Sequence, residues 1–492
     1  MYFLGIDIGS TAVKAAVLRV GVDGKPDGVI GRGSADYPTY YPVPSGVEQS
    51  PADWNRATVS AIRSAVSCVD EHERRSISGI SFSSQAGSIY PADENNVPLC
   101  DALTWMDRRA TKEAEDVAAA LGADNIRDKC GWPVAPTDCI SKLLWLSRNK
   151  SEIFSAAKHF YTTQESVTGY LCGNFVTDPT GMVLSRLYDY KKGEYITEAL
   201  ELLGISADKL PTVAPCGSLA GTLLPEVAEL CELEAGIPVY VGAHDQYCAS
   251  LGSGVTENGQ LLIATGTAWV IFGVSPSPIS NPPYPAPCTH PINGRFGVMK
   301  SLAGCGGALG AFAASCGTTP AALDLEIEME GADNKRAKLS DYFVCPLPPN
   351  PAIPHKDGVC VPMSVAEGKT PADTALAAME GAAFEARALV EAFEAAGFPA
   401  GSEIVISGGA SKSRLWLEIV AAVFADRKLY RLAEPDAPAL GAAMLAATGT
   451  GAFGDLTEAA AMPRRIFVPA DPAVTEYYSK KYQAYRRFAL AD

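Results

Sequence analysis

An apolar strand delivers an acid, a glycine turn and two hydroxyls near the start of the chain, in Phe3-Leu4-Gly5-Ile6-Asp7-Ile8-Gly9-Ser10-Thr11-Ala12-Val13-Lys14. These residue types at this spacing suit a nucleotide phosphate and its metal. Gly9 lets the backbone turn back toward an anion with no Cβ in the way, so that main-chain N–H groups do the binding. Ser10, Thr11 and Lys14 would add phosphate hydrogen bonds and charge. Asp7, ending a buried strand, would hold magnesium through water, since that ion keeps most of its hydration and takes only one or two carboxylates. Taken alone, the segment equally fits a plain β-hairpin with Asp7 capping its turn. A Walker-type loop is excluded, because the Gly-Lys-Ser/Thr ending and following helix are missing.

Residues 260–274 repeat the idea, with Thr265-Gly266-Thr267 between two apolar strands. Two such turns, about 250 residues apart, imply a duplicated domain in which each copy presents a phosphate-binding turn to a shared cleft. Asp245, in Gly242-Ala243-His244-Asp245-Gln246, follows a strand and precedes a helix. A carboxylate there suits general-base work on a substrate hydroxyl attacking phosphorus, and a share with Asp7 in the metal. A helix cap is its simpler role. Gly408-Gly409-Ala410-Ser411-Lys412-Ser413 joins a strand to a helix, where ligands of α/β sheets gather and two glycines let a base or ribose lie against backbone. A tight connection would use the same residues. Gly304-Cys305-Gly306-Gly307 either admits a nucleotide or permits close helix packing. Gln85, after Ser83-Ser84, together with Trp105 and Asp107, offers side chains for the hydroxyls of a polyol and an aromatic face for its C–H surface. Arg108 and Arg109 beside them also suit surface ion pairs.

Alternating strands and helices must carry these groups. Apolar patterning predicts strands at 77–82, 238–242 and 403–407, and helices over 54–69, 141–149, 153–159, 372–396, 413–424, 439–448 and 474–490. Proline-rich loops are expected at 276–291 and 346–354. The class is α/β with mixed sheets, because the hairpins are antiparallel.

At 492 residues the chain is too long for one core. Its net charge of −16, with no basic stripe, argues against a nucleic-acid surface. The first strand begins by residue 3 with no charged-then-apolar leader, and no apolar run reaches membrane-span length, so a cytoplasmic protein is expected. Thirteen scattered cysteines show no Cys-x-x-Cys pair and no histidine cluster at metal spacing, and read as reduced thiols in the core.

Taken in order, these motifs resemble the FGGY carbohydrate kinases, a branch of the actin and hexokinase ATPase superfamily. Residues 5–14 resemble the family's first phosphate motif, with Ser10 where threonine is usual, and Thr265-Gly266-Thr267 the second. Asp245 falls at the catalytic base, residues 408–416 at the adenosine motif, and Ala439-Leu440-Gly441-Ala442-Ala443 at the small-residue helix that follows. The resemblance implies two duplicated ribonuclease-H-like (actin-like ATPase) domains, residues 1–252 for the sugar and first phosphate motif and 253–492 for the nucleotide, closing over their substrates. It implies ATP and magnesium, with Gly9, Ser10, Thr11, Lys14, Gly266, Thr267, Gly306, Gly307, Gly408, Gly409, Ala410 and Ser413 around the nucleotide. The implied reaction phosphorylates a terminal hydroxyl of a small sugar, foremost a ketopentose such as xylulose. Glycerol, erythritol and gluconate are the alternatives, as is a non-catalytic ATP-binding regulator. A homodimer is compatible with the family. Ala86-Gly87 stand where xylulokinases carry Met-His and glycerol kinases Arg-Glu, whereas Trp105-Met106-Asp107 is similar to the Trp-Asn-Asp of xylulokinases.

Overall fold

The computed structural model describes residues 1–21, 26–279, 288–347, 353–434, 436–461 and 463–491. Parts of both expected proline-rich loops, 280–287 and 348–352, lie outside the described residues. The chain divides into two compact units, one of residues 1–256, 286–297 and 436–463, the other of residues 257–285, 298–435 and 464–492.

In the first unit β1 (Tyr2–Ile8), β2 (Ala12–Val20) and β3 (Pro26–Asp36) form an antiparallel meander. β4 (Ile77–Ser84) pairs in parallel with the other side of β1. β5 (Leu219–Thr222) and β6 (Pro238–Tyr240) are antiparallel, and β6 joins β4 in parallel. Every residue of β1 after Tyr2 is buried, the mark of a strand covered on both faces. Helix α1 (Pro51–Val66) starts with proline, which loses no hydrogen bond at that position, and buries Trp54, Ala57, Ala61, Ile62 and Ala65. Helices α2 (Cys139–Asn149) and α3 (Asp245–Gly252) complete what the site requires.

The second unit repeats the plan. β7 (Leu261–Thr265) and β8 (Trp269–Ser275) are an antiparallel hairpin, with β9 (Phe296–Leu302) next to β8 in the strand order. β10 (Glu403–Gly408) pairs in parallel with β7, β11 (Lys428–Leu432) in parallel with β10, and β12 (Arg465–Val468) antiparallel with β11. Two sheets of one order, hairpin strands first and parallel strands after, realise the duplication that the repeated turns announce. Helices α4 (Cys305–Ser315), α5 (Pro371–Ala395) and α6 (Arg414–Val423) accompany this sheet. The rings of Trp269 and Trp416 meet in its core at 5.2 Å.

Helix α7 (Ala437–Gly449) folds with the first unit although its sequence neighbours fold with the second. Its alanines and glycines let backbone touch backbone: a Cβ on Gly5 of β1 would stand 1.9 Å from the Ala439 carbonyl oxygen, and one on Gly441 1.9 Å from that of Cys248 in α3. Helix α8 (Pro472–Ala489) buries Tyr478, Lys481, Tyr482 and Tyr485 in the second unit. One expected helix divides. Residues 153–159 become the end of a helix at Ser151–Ala156 and the start of a strand at His159–Tyr161, because His159-Phe160-Tyr161 pair with Tyr90–Ala92 and that pairing overrides local propensity. Among the described residues, no helix is long and apolar enough to cross a membrane.

Candidate active site

Strand register carries the two expected carboxylates to one end of the first sheet. β4 sets Ser83 opposite Asp7 on one side, and opposite Ala243 of the short strand Ala243–His244 on the other. Asp245 follows at once as the first residue of α3. Ser83 donates its hydroxyl to Asp7 Oδ1 at 2.8 Å. Asp7 is buried, and burial first, then the charge of Asp245, push its carboxyl up to about 7. The Asp245 side chain is 28% exposed, with Oδ1 3.0 Å from His244 Nε2 but without a hydrogen-bond donor in good geometry. Two neighbouring carboxylates, one destabilised by burial and one with an open oxygen, fit a divalent cation that would relieve both penalties.

Residues that sequence patterning missed hold Asp245 in place. The His244 N–H donates to Thr180 Oγ1 at 2.9 Å, and both the hydroxyl and the N–H of Thr180 donate to Asp178, which is fully buried. Burial raises the Asp178 carboxyl above the usual range. An Asp-Pro-Thr-Gly sequence before a short helix was the available signal, since aspartate at that position caps.

The turn after β1 is a tight hairpin. Gly9 N–H donates to the Ala12 carbonyl at 3.1 Å, and the Tyr37 hydroxyl donates to the Gly9 carbonyl. Gln49 donates to the Ser10 carbonyl at 2.8 Å, and Thr11 is exposed. Lys14 lies opposite Asp7 in the ladder and pairs with Asp436 at 2.9 Å. The expected phosphate motif therefore turns through half-buried Gly9 and Ser10 and exposed Thr11, in a shape other side chains enforce.

Of the three expected polyol contacts, Trp105 is the one that stands open, 43% exposed, and its indole N–H donates to Ser10 Oγ at 3.1 Å. Gln85 is buried and spends its amide N–H groups on Gln49 Oε1 at 2.9 Å and the Tyr37 hydroxyl at 3.4 Å. Asp107 is fully buried, its oxygens taken by the Val47 N–H at 2.8 Å and by Arg109, whose Nη2 is 2.7 Å away. Arg109 is thus an internal partner rather than a surface one, and also reaches Glu48 at 2.8 Å. Lys142, fully buried in α2, donates to the carbonyls of Gly87, Leu103 and Thr104, so it clasps the segments on both sides of Trp105. A lone lysine within Cys139-Ile-Ser-Lys-Leu-Leu-Trp-Leu was the signal for it.

In the second unit three glycine motifs converge. Thr265 donates its hydroxyl to the Ser407 carbonyl at 2.5 Å and accepts from the Ala410 N–H at 3.0 Å, while its own carbonyl accepts from Gly409 at 2.6 Å. Gly307 N–H donates to the Thr267 carbonyl at 2.8 Å, and a Cβ on Gly306 would stand 2.2 Å from the Gly266 carbonyl oxygen. Gly408 adopts φ 90°, a conformation side chains resist. The Thr265-Gly266-Thr267 turn, the start of α4 and the turn after β10 are therefore one backbone-lined cluster at the ends of parallel strands, with the N-termini of α4 and α6 nearby to favour an anion. Ser413 caps α6 through the Trp416 N–H at 3.0 Å.

With this geometry in hand, the likeness to known proteins is informative. The model of the FGGY family of carbohydrate kinases, N-terminal domain, matches residues 2–252, and that of the C-terminal domain matches residues 261–450. The xylulose kinase of Bacillus subtilis (strain 168) is 28% identical over 464 residues, 93% of this chain and 90% of that protein. The gluconokinase of the same organism is 29% identical over 277 residues, 56% of this chain and 52% of that protein. The crystal structure of xylulose kinase from Rhodospirillum rubrum superposes with a TM-score of 0.84 at 24% identity, covering 99% of this chain and 97% of that one, and so shares the two-domain α/β fold with mixed sheets. Family matches over both halves of the chain, on a fold of two mixed sheets of one strand order, identify it as an enzyme that phosphorylates a sugar with ATP: it belongs to the FGGY family of carbohydrate kinases.

Proposed function

We propose that this kinase transfers the γ-phosphoryl group of ATP to a terminal hydroxyl of a ketopentose of the xylulose type, with magnesium, in the cytoplasm. The observation that carries the reaction is the juxtaposition of Asp7 and Asp245 beside Ser83 at adjacent strand ends. Asp245 accepts the proton of the sugar hydroxyl as its oxygen bonds to the γ-phosphorus and the bond to the β-phosphate oxygen breaks, releasing ADP. Asp7, with Asp245, would hold the magnesium ion, which supplies charge neutralisation around the transferred group. Trp105 packs on the carbon chain of the sugar, and Gln85, Asp107 and Lys142 keep that wall in position from behind. In the first unit Gly9, Ser10, Thr11 and Lys14 are the phosphate-binding residues, and in the second Gly266, Thr267, Gly306 and Gly307 are. Gly408, Gly409, Ala410 and Ser413 receive the adenosine. The sugar is the working partner, without nucleic acid or membrane, and a homodimer is the assembly compatible with the family.

Xylulose is favoured because a xylulose kinase matches 93% of the chain, whereas the gluconokinase matches 56%. Gluconate is the second reading on the strength of that shorter match. The test is ADP release with xylulose, other ketopentoses, glycerol, erythritol and gluconate, each with and without magnesium. Xylulose should give the highest kcat/KM. Release best supported by gluconate would transfer the assignment to a sugar acid, and no release with any acceptor would leave a nucleotide-binding regulator.

A further inference from the structure

Cysteines that look isolated in the sequence meet a histidine and a glutamate in the second unit. The sulfurs of Cys345 and Cys360 are 3.5 Å apart, and His355 Nε2 is 3.9 Å from the Cys345 sulfur. All three donor atoms lie within 4.8 Å of one another. His355 Nε2 also stands 3.0 Å from each oxygen of Glu385, and Glu385 Oε1 is 3.8 Å from the Cys345 sulfur. Cys345 and Glu385 are buried, and 3% of the His355 side chain is exposed.

We propose that this cluster is a structural zinc site, with Cys345, Cys360 and His355 as ligands and a Glu385 oxygen as the fourth. Bonds of about 2.3 Å to sulfur and about 2.0 Å to nitrogen, at tetrahedral angles, put two sulfurs roughly 3.8 Å apart and a sulfur and a nitrogen roughly 3.5 Å apart. The observed 3.5 and 3.9 Å require adjustments of a few tenths of an ångström. The donor set of two thiolates, an imidazole and a carboxylate is one that zinc accepts and that magnesium does not seek. A histidine-glutamate pair by itself accounts for neither thiol. Binding forms two Zn–S bonds, one Zn–N bond and one Zn–O bond. The two thiol protons and the proton shared between His355 and Glu385 pass to solvent.

Such an ion would join three parts of the unit. Glu385 lies on α5 and accepts a hydrogen bond from Tyr485 of α8 at 2.5 Å. The ligand loop is pinned to the end of α8, with Lys356 N–H donating to the Ala489 carbonyl at 2.8 Å and Ala491 N–H to the Pro354 carbonyl at 2.9 Å. The role is a staple for the loop that carries His355, the long helix and the C-terminal helix.

The test uses the full chain, reduced and stripped with a chelator, then titrated with Zn²⁺ or Co²⁺ alone. One ion per chain should bind, the cobalt form should show thiolate-to-metal charge transfer with the intense visible bands of a tetrahedral centre, and zinc should raise the thermal midpoint by several degrees. Cys345→Ser and Cys360→Ser should each weaken binding at least about 100-fold. The cobalt spectrum of the parent protein needs no variant, so a variant that fails to fold does not spare the proposal. Absence of charge transfer, affinity unchanged in folded variants, or formation of a Cys345–Cys360 disulfide in protein that takes up no metal while reduced would each overturn it.

Discussion

Ser83 donates its hydroxyl to Asp7 at 2.8 Å across the parallel pairing that sets these two residues side by side. One donor does not offset burial and the Asp245 charge, so the Asp7 carboxyl rises from 3.8 to about 7. Between those two values the folded chain keeps a proton that the unfolded chain has released. Its contribution to stability is present below the lower value and is lost as pH rises through the upper one. Metal-free Asp7→Asn should therefore be more stable than the parent at pH 8, by about 1–4 kcal/mol, with little difference at pH 4. Magnesium affinity of the parent should fall as pH drops below about 7, since the ion needs the ionised carboxylate. Urea unfolding at both pH values checks this, and a variant less stable than the parent at pH 8 would refute the repulsion.

Asp245→Asn keeps the size of the first side chain of α3, which makes no cap hydrogen bond, but removes the proton acceptor. Turnover should fall about 100-fold or more while nucleotide affinity stays within a few-fold. Steady-state kinetics with ATP binding by calorimetry separates the two, and near-normal phosphorylation by the variant would dismiss Asp245 as the base.

Asp107 is saturated by Val47 and Arg109 inside the protein. Asp107→Asn should cost stability, about 3–5 kcal/mol for breaking a buried pair. It should lower kcat/KM by a similar factor on every sugar, because it distorts a wall instead of deleting one hydroxyl contact. Melting curves and the acceptor panel decide. An effect confined to one sugar with an unchanged melting point would mean that Asp107 touches substrate.

Lys142→Met removes a donor from three carbonyls, of which those of Leu103 and Thr104 keep the N–H groups of Ile89 and Asp107, and frees the segments around Trp105. We expect the KM for sugar to rise several-fold and the KM for ATP to hold, with a stability loss of about 2–4 kcal/mol. Equal changes in both KM values would show that the clasp serves the whole first unit and not the Trp105 wall.

Thr265→Val removes the hydroxyl that ties β7 to the Ser407 carbonyl and the Ala410 N–H. A buried N–H left unpaired costs about 1–3 kcal/mol, and the displaced turn should weaken ATP at least several-fold, whereas Thr265→Ser should restore both. Nucleotide titration and thermal melting of the two variants provide the check.

Motifs whose geometry is local were legible in the sequence. Asp7 and Gly9 stand on one strand and its turn, and Gly408 and Gly409 on another, so composition and spacing over a dozen residues disclosed them. The duplication was legible for the same reason, as two hairpins of one pattern. What depends on residues far apart was not. Strand order decides that Asp245 lies beside Asp7, because the pairings of β4 bring together segments more than 200 residues apart. The fates of Gln85 and Asp107 also follow from packing: a polar side chain reads alike in sequence whether it faces a ligand or the protein interior, and Gln49, Tyr37 and Val47 come from elsewhere to claim them. The clasp of Lys142, the attachment of α7 to β1 through Gly5, and the approach of Glu385 to Cys345 and His355, 40 and 30 residues before it, are likewise long-range. Local sequence determined which backbone turns and carboxylates this protein owns. Only tertiary structure decided which polar atoms are spent inside and which stay free to act, since burial and partnership arise when distant segments pack.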